Sequence, residues 1–172
     1  MSYLKKKETV INLPIRQKIG LIACSGEDLV EGTLSRVAAI IAFEKLRPEK
    51  TVILCQPLFM AGGLERKGRN QEREFAKTHP TITIEGCEEE CARTAVENYS
   101  GPVAATIRVK EIMKKYPALV PKSREDLGEA GYELAYKIAE EIAKKVDELY
   151  EKQIVSPKNS VCKKAPVTKK VT

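Results

Sequence analysis

Apolar residues recur along this chain with two alternating spacings, and the alternation predicts an architecture. The runs Ile19-Gly20-Leu21-Ile22-Ala23, Thr51-Val52-Ile53-Leu54 and Thr81-Ile82-Thr83-Ile84 read as strands over 17–23, 51–54 and 81–85. Their largely apolar character suits strands covered on both faces. Between the first two, Leu34, Val37, Ala38, Ile41 and Ala42 fall at i, i+3, i+4, i+7 and i+8, the buried stripe of a helix over 31–46. Pro48 ends it. After the second strand, 56–63 reads as an apolar loop and 64–77 as a polar, charged helix. Gly86 lets the chain turn after the third strand. A helix over 88–99 then carries Cys91, Ala92, Ala95, Val96 and Tyr99 on one side. A short fourth strand is predicted at 103–107, a helix at 108–116 stopping at Pro117, and a last helix at 124–152. Leu134, Ile138, Ile142, Val146 and Leu149 stripe that last helix.

Strands alternating with helices at short spacing imply βαβ units with right-handed crossovers. The fold class is therefore α/β: a three-layer sandwich, Rossmann-like or flavodoxin-like, on a parallel sheet of about four strands. The preferred strand order is 2-1-3-4, which places strand one between its two partners. One α/β domain is expected over 14–156, with an N-terminal extension at 1–13 and a flexible basic tail at 157–172.

Composition narrows the class. A chain of 172 residues buries roughly 70% of its unfolded surface, enough for a core without covalent staples. No apolar run approaches the ~20 residues of a membrane span, and the first residues lack an apolar signal segment. The cytoplasm is the expected address, where thiols stay reduced. The net charge of +6 belongs to the ends: 157–172 contributes +5 and 1–13 contributes +2, leaving the body near −1. Without aromatic residues among those lysines, the tail argues for solubility rather than nucleic-acid binding.

The cysteines carry the candidate chemistry. Cys24 closes the first strand, Cys55 the second, and Cys87 follows the third, with Cys91 one helical turn beyond. In an open α/β sheet the carboxyl ends of parallel strands share one edge, where ligands bind. Gaps of 30 and 31 residues between ligands make sense only if strands gather them. Zinc takes four thiolates tetrahedrally, and an iron–sulfur cluster also takes four cysteines. A thiol-based sulfur-transfer or redox enzyme, with Cys24 or Cys55 as nucleophile, is a third class.

The same residues resemble the DGC-domain family over about 18–110. The resemblance rests on Cys24 after strand one, on Cys55-Gln56-Pro57-Leu58-Phe59 with its following Gly-rich step, and on Gly86-Cys87 with Cys91 four later. That family is named for an Asp-Gly-Cys motif and is inferred to bind zinc through four cysteines. The resemblance implies that Cys24, Cys55, Cys87 and Cys91 are the metal ligands. The resemblance supplies no reaction; four thiolates would fill zinc's coordination and leave no place for a catalytic water, which predicts a structural or regulatory role. Here the triplet is Glu85-Gly86-Cys87, with an acid one methylene longer.

Other motifs carry less. Cys87 and Arg93 have the spacing of a thiol phosphatase, but Glu88-Glu89-Glu90 between them would repel phosphate. Those acids suit a helix N-terminus. The stretch from Gly63 to Asn70 lacks the Lys-Ser/Thr of a phosphate loop, and no Gly-x-Gly-x-x-Gly follows strand one. His79 falls at the amino end of the sheet, away from the cysteines. Arg66, Lys67, Arg69 and Arg73 read as a solvated face, or as attraction for a small anionic ligand if their helix leans over the edge. Pro57-Leu58-Phe59-Met60 reads as core or as a dry shell round the metal. Ser25, Thr106 and Arg108 lie near strand ends, and Cys162 in the tail reads as a free thiol.

Overall fold

A computed structural model describes residues 16–61 and 71–155. The extension at 1–13, the cations Arg66, Lys67 and Arg69, and the tail with Cys162 lie outside those residues. Four strands form one sheet: β1 (Ile19–Ala23), β2 (Thr51–Ile53), β3 (Thr81–Glu85) and β4 (Ala105–Arg108). All pair in parallel, in the order β2-β1-β3-β4. The helices are α1 (Val30–Ile41), α2 (Gln56–Ala61), α3 (Gln71–Thr78), α4 (Cys91–Tyr99), α5 (Val109–Lys115) and α6 (Gly128–Val155). The three-layer α/β sandwich and its strand order are those predicted.

Strand alternation divides the core. Ile19 and Leu21 of β1 and Ile82 and Ile84 of β3 pack with Leu34, Ala38 and Ala42, with Val109 and Ile112, and with the α6 stripe Leu134, Ile138, Ile142 and Val146. The opposite side is thinner. Ile22 there meets Leu54, Phe59, Ala92, Ala95 and Val96, with Phe75 and Ala76 of α3 packed against them. Thr81, Thr83 and Glu85 are buried too, alternating along β3 with the two isoleucines.

Several boundaries moved. The helix α1 gives way to a π-helical turn over Ala42–Leu46, closed by the Arg47 N–H bonding the Ala42 carbonyl. The apolar stretch after Cys55, expected as a loop, is the short helix α2. Pro57 suits its first turn, where an N–H has no helical acceptor. Phe59 reaches the core and is fully buried, while Leu58 and Met60 face outward. Helix α4 starts at Cys91 rather than 88. Glu90 just before it takes the left-handed conformation, at φ 45°.

Candidate metal centre

The carboxyl edge is assembled by close backbone contact. The N-terminal turn of α1 rests on the loops after β1 and β3, which carry Cys24 and Cys87. A Cβ on Gly32 would lie 2.2 Å from the Gly26 carbonyl oxygen, in the loop after Cys24. One on Gly86 would lie 2.8 Å from the backbone of Glu31. Only glycine permits such an approach. The buried Ser35 hydroxyl of α1 donates to the Cys24 carbonyl at 3.1 Å, and the Cys24 N–H donates to the Ile84 carbonyl at 2.8 Å. The backbone of Cys24 is thereby held from both α1 and β3.

Cys24 and Cys91 come together from opposite ends of the sequence motif. Their sulfurs stand 3.9 Å apart. Two 2.3 Å bonds to a tetrahedral zinc place sulfurs about 3.8 Å apart. The separation far exceeds a disulfide bond of about 2.05 Å, so both are thiols here. Among the described residues, Cys24, Glu85 and Cys91 form a group in which both sulfurs and a carboxylate oxygen lie within 4.8 Å of one another. Cys24 is buried and Cys91 partly so; Glu85 is 1% exposed.

Cys87 and Cys55 stand outside that trio. Cys87 is half-buried in the loop after β3, near enough that its charge acts on Cys24. Cys55 is solvent-exposed between β2 and α2, and its carbonyl accepts the Phe59 N–H. Next to it, Gln56 donates from Nε2 to the Cys91 sulfur at 3.3 Å, and its Oε1 accepts the Ser25 hydroxyl at 2.6 Å. The loops after β1 and β2 thus both reach Cys91, the second through a residue that sequence reasoning passed over.

Burial dominates the electrostatics. The Cys24 thiol is pushed up to about 12, chiefly by burial, with the Gly86 N–H opposing and the neighbouring Cys91 and Cys87 adding to the rise. Without a cation this sulfur is a protonated thiol, a poor nucleophile. Burial also raises the Glu85 carboxyl, opposed by the Arg93 N–H, which donates to its Oε1 at 2.7 Å, and by the Thr83 hydroxyl and the Ala92 N–H. Its Oε2 is buried and accepts no hydrogen bond among the described residues. Two soft thiols and an orphaned carboxylate oxygen are a donor set suited to zinc and related divalent ions. The cluster can hold a metal ion.

The sequence profile of the DGC domain matches residues 20–146. The chain belongs to the DGC domain family. The match runs beyond the cysteines into α6, so the DGC domain includes the helix that backs the sheet. Neither a curated protein nor a solved structure matches the chain.

The remaining sequence candidates are dispersed over the DGC domain, with Glu90 at the rim of the edge. Glu90 accepts from Arg93 at 2.9 Å and from Arg108, and the Arg108 hydrogen bond holds its carboxyl below the usual range. Lys110 pairs with Glu88 at 3.3 Å. The three acids expected to open a helix are instead a loop tied by cations from α4, β4 and α5. Arg73, expected on a solvated face, is buried: it donates to the Phe59 and Met60 carbonyls and stacks 3.9 Å from the Tyr99 ring centroid. It fastens α3 to α2 and α4. Thr106 accepts from Thr83 within the sheet. His79 stacks on Phe75 with ring centroids 4.0 Å apart, at the amino end as expected. No described helix is long and apolar enough to cross a membrane.

Proposed function

We propose that this DGC domain is a zinc-binding unit whose ion ties together the loops at the carboxyl edge of its sheet. The observation that carries the reading is the Cys24–Cys91 sulfur pair at 3.9 Å, close to the spacing of two zinc ligands. In this reading Cys24, Cys55, Cys87 and Cys91 supply the thiolates from three strand ends. Bound zinc supplies charge neutralisation and a tetrahedral cross-link. A shell filled by protein ligands leaves no open position, so the role is structural or regulatory. The unit is residues 14–156, with 1–13 and 157–172 as extensions, in the reducing cytosol where these thiols stay free.

Two rival readings fare less well. A thiol enzyme for sulfur transfer or redox chemistry conflicts with the burial of Cys24, whose thiol is protonated, and is left with the exposed Cys55 as its nucleophile. An anionic ligand at the edge would compete with Glu90 and Glu88 for Arg93, Arg108 and Lys110. An iron–sulfur cluster uses the same residue type and is separated by colour. The test is metal content by mass spectrometry on anaerobically purified protein. About one zinc per chain supports the reading. Iron with visible absorbance moves it to a cluster. Protein without metal, with freely titratable thiols, overturns it.

A further inference from the structure

We infer that Glu85 is itself a ligand of the ion held by Cys24 and Cys91, giving an oxygen in the place the cysteine pattern assigns to Cys55. The inference rests on the metal reading above and changes its ligand set.

Strand geometry puts Glu85 where few acids go. It continues the Thr81, Thr83 alternation of β3, so its side chain is directed into the protein beside α4 and is 1% exposed. A buried carboxylate is costly unless hydrogen bonds and a counter-charge meet it. Oε1 has the Arg93 N–H, with the Ala92 N–H and the Thr83 hydroxyl also acting on the carboxyl, while Oε2 has no hydrogen bond of good geometry among the described residues. The sheet register sets Arg108 of β4 directly beside Glu85, the obvious counter-ion. Arg108 turns instead to Glu90, which also holds Arg93. The cation that the sheet offers is spent one step further out.

What does stand near is sulfur. A Glu85 oxygen and the Cys24 and Cys91 sulfurs lie within 4.8 Å of one another. A dication among the three would give Oε2 a partner and let both thiols ionise. Cys55, by contrast, is exposed to solvent, and its neighbour Gln56 makes the contact to Cys91. The resulting shell is three thiolates, from Cys24, Cys87 and Cys91, and one carboxylate. Cys55 is left as a solvent-accessible thiol outside the shell.

X-ray absorption at the zinc edge tests this on the full chain, alongside zinc affinity measured against a competing chelator. The expected wild-type shell has sulfur and at least one oxygen, and Cys55→Ser keeps both shell and affinity. Glu85→Gln should weaken zinc by more than the roughly 10–100-fold that an outer-shell partner costs. Glu85→Cys should convert one oxygen ligand to sulfur. A wild-type shell of four sulfurs that falls to three in Cys55→Ser overturns the inference while leaving the metal reading intact, even if Glu85→Gln fails to fold. Unchanged affinity in a folded Glu85→Gln overturns it equally. A wild-type chain that takes up no zinc removes the metal reading, and the inference with it.

Discussion

The two faces of the sheet are built to different ends. On one side, α1, α5 and α6 cover the sheet with a continuous aliphatic core, including a fully buried stripe of four large residues on α6. On the other, Leu54 after β2, Phe59 of α2 and Ala92, Ala95 and Val96 of α4 surround Ile22, with Phe75 and Ala76 of α3 packed against them. That thin side buries polar groups in quantity: Thr81, Thr83, Glu85, Arg73 and Gln56. The first face supplies apolar burial. The second accepts polar burial and carries the cluster of Cys24, Glu85 and Cys91. Separating the two lets a strained, polar edge persist on a scaffold that does not depend on it.

If that division holds, perturbations should separate by face. The largest effect is expected from Ile138→Ala, in the thick core. It should lose about 2–5 kcal/mol in denaturant unfolding, with or without metal, because the cavity lies far from the edge. An equal loss of zinc affinity would contradict the division.

Metal removal should act on the other face alone. At zinc a hundredfold above its dissociation constant, chelation should cost about 2.7 kcal/mol. Amide exchange should rise in the loops after β1 and β3 and at the start of α4. Unchanged exchange there after chelation, or loss spread evenly into α6, would argue against an edge cross-link.

A smaller effect probes the contact between the faces. In Gly32→Ala the new methyl would lie 2.2 Å from a backbone oxygen that cannot rotate away. Overpacking of this kind costs about 1–3 kcal/mol. Because the displaced loop carries Cys24, zinc affinity should fall as well, which a chelator competition would reveal. Ile138→Ala gives stability loss alone; this variant should give both.

The smallest effect lies on the thick face, at Asp147 of α6. Arg47 hydrogen bonds, with Lys50 assisting, hold its carboxyl down at about 2 against an ordinary 3.8. A depressed pKa means stability present above the unfolded value and lost as pH falls through the folded one. The contribution should therefore be complete above about pH 4 and disappear toward pH 2. In Asp147→Asn that acid-dependent part should vanish, lowering neutral stability by about 1 kcal/mol, since all three side chains are partly exposed. Acid unfolding curves of the two proteins should converge at the lowest pH.

Local signals made much of this legible. The β1, β2 and β3 runs and the α6 stripe are periodic over short windows, and the strand order followed from placing strand one between its two partners. The placement of Cys24 and Cys91 at one edge followed in turn from strand ends. Glu85 was present in the same signal: Thr81-Ile82-Thr83-Ile84-Glu85 alternates strictly, so an acid in register with two inward threonines was readable as buried. The segment at 56–63 misled because a short apolar stretch with an early proline suits a loop and a first helical turn equally.

What the sequence determined by itself is the α/β sandwich, its strand order and the edge to which the cysteines are delivered, because period and strand length are set by neighbours a few residues apart. Tertiary structure alone decided which donors meet. Arg108 pairs with Glu90 instead of its register partner Glu85, Arg73 turns inward to the α2 carbonyls, Cys55 stays in solvent while Gln56 reaches Cys91, and Gly32 and Gly86 fit α1 against two loops. Each of these is a choice among partners remote in the chain, made by packing and charge once the sheet has closed, and no local period encodes it.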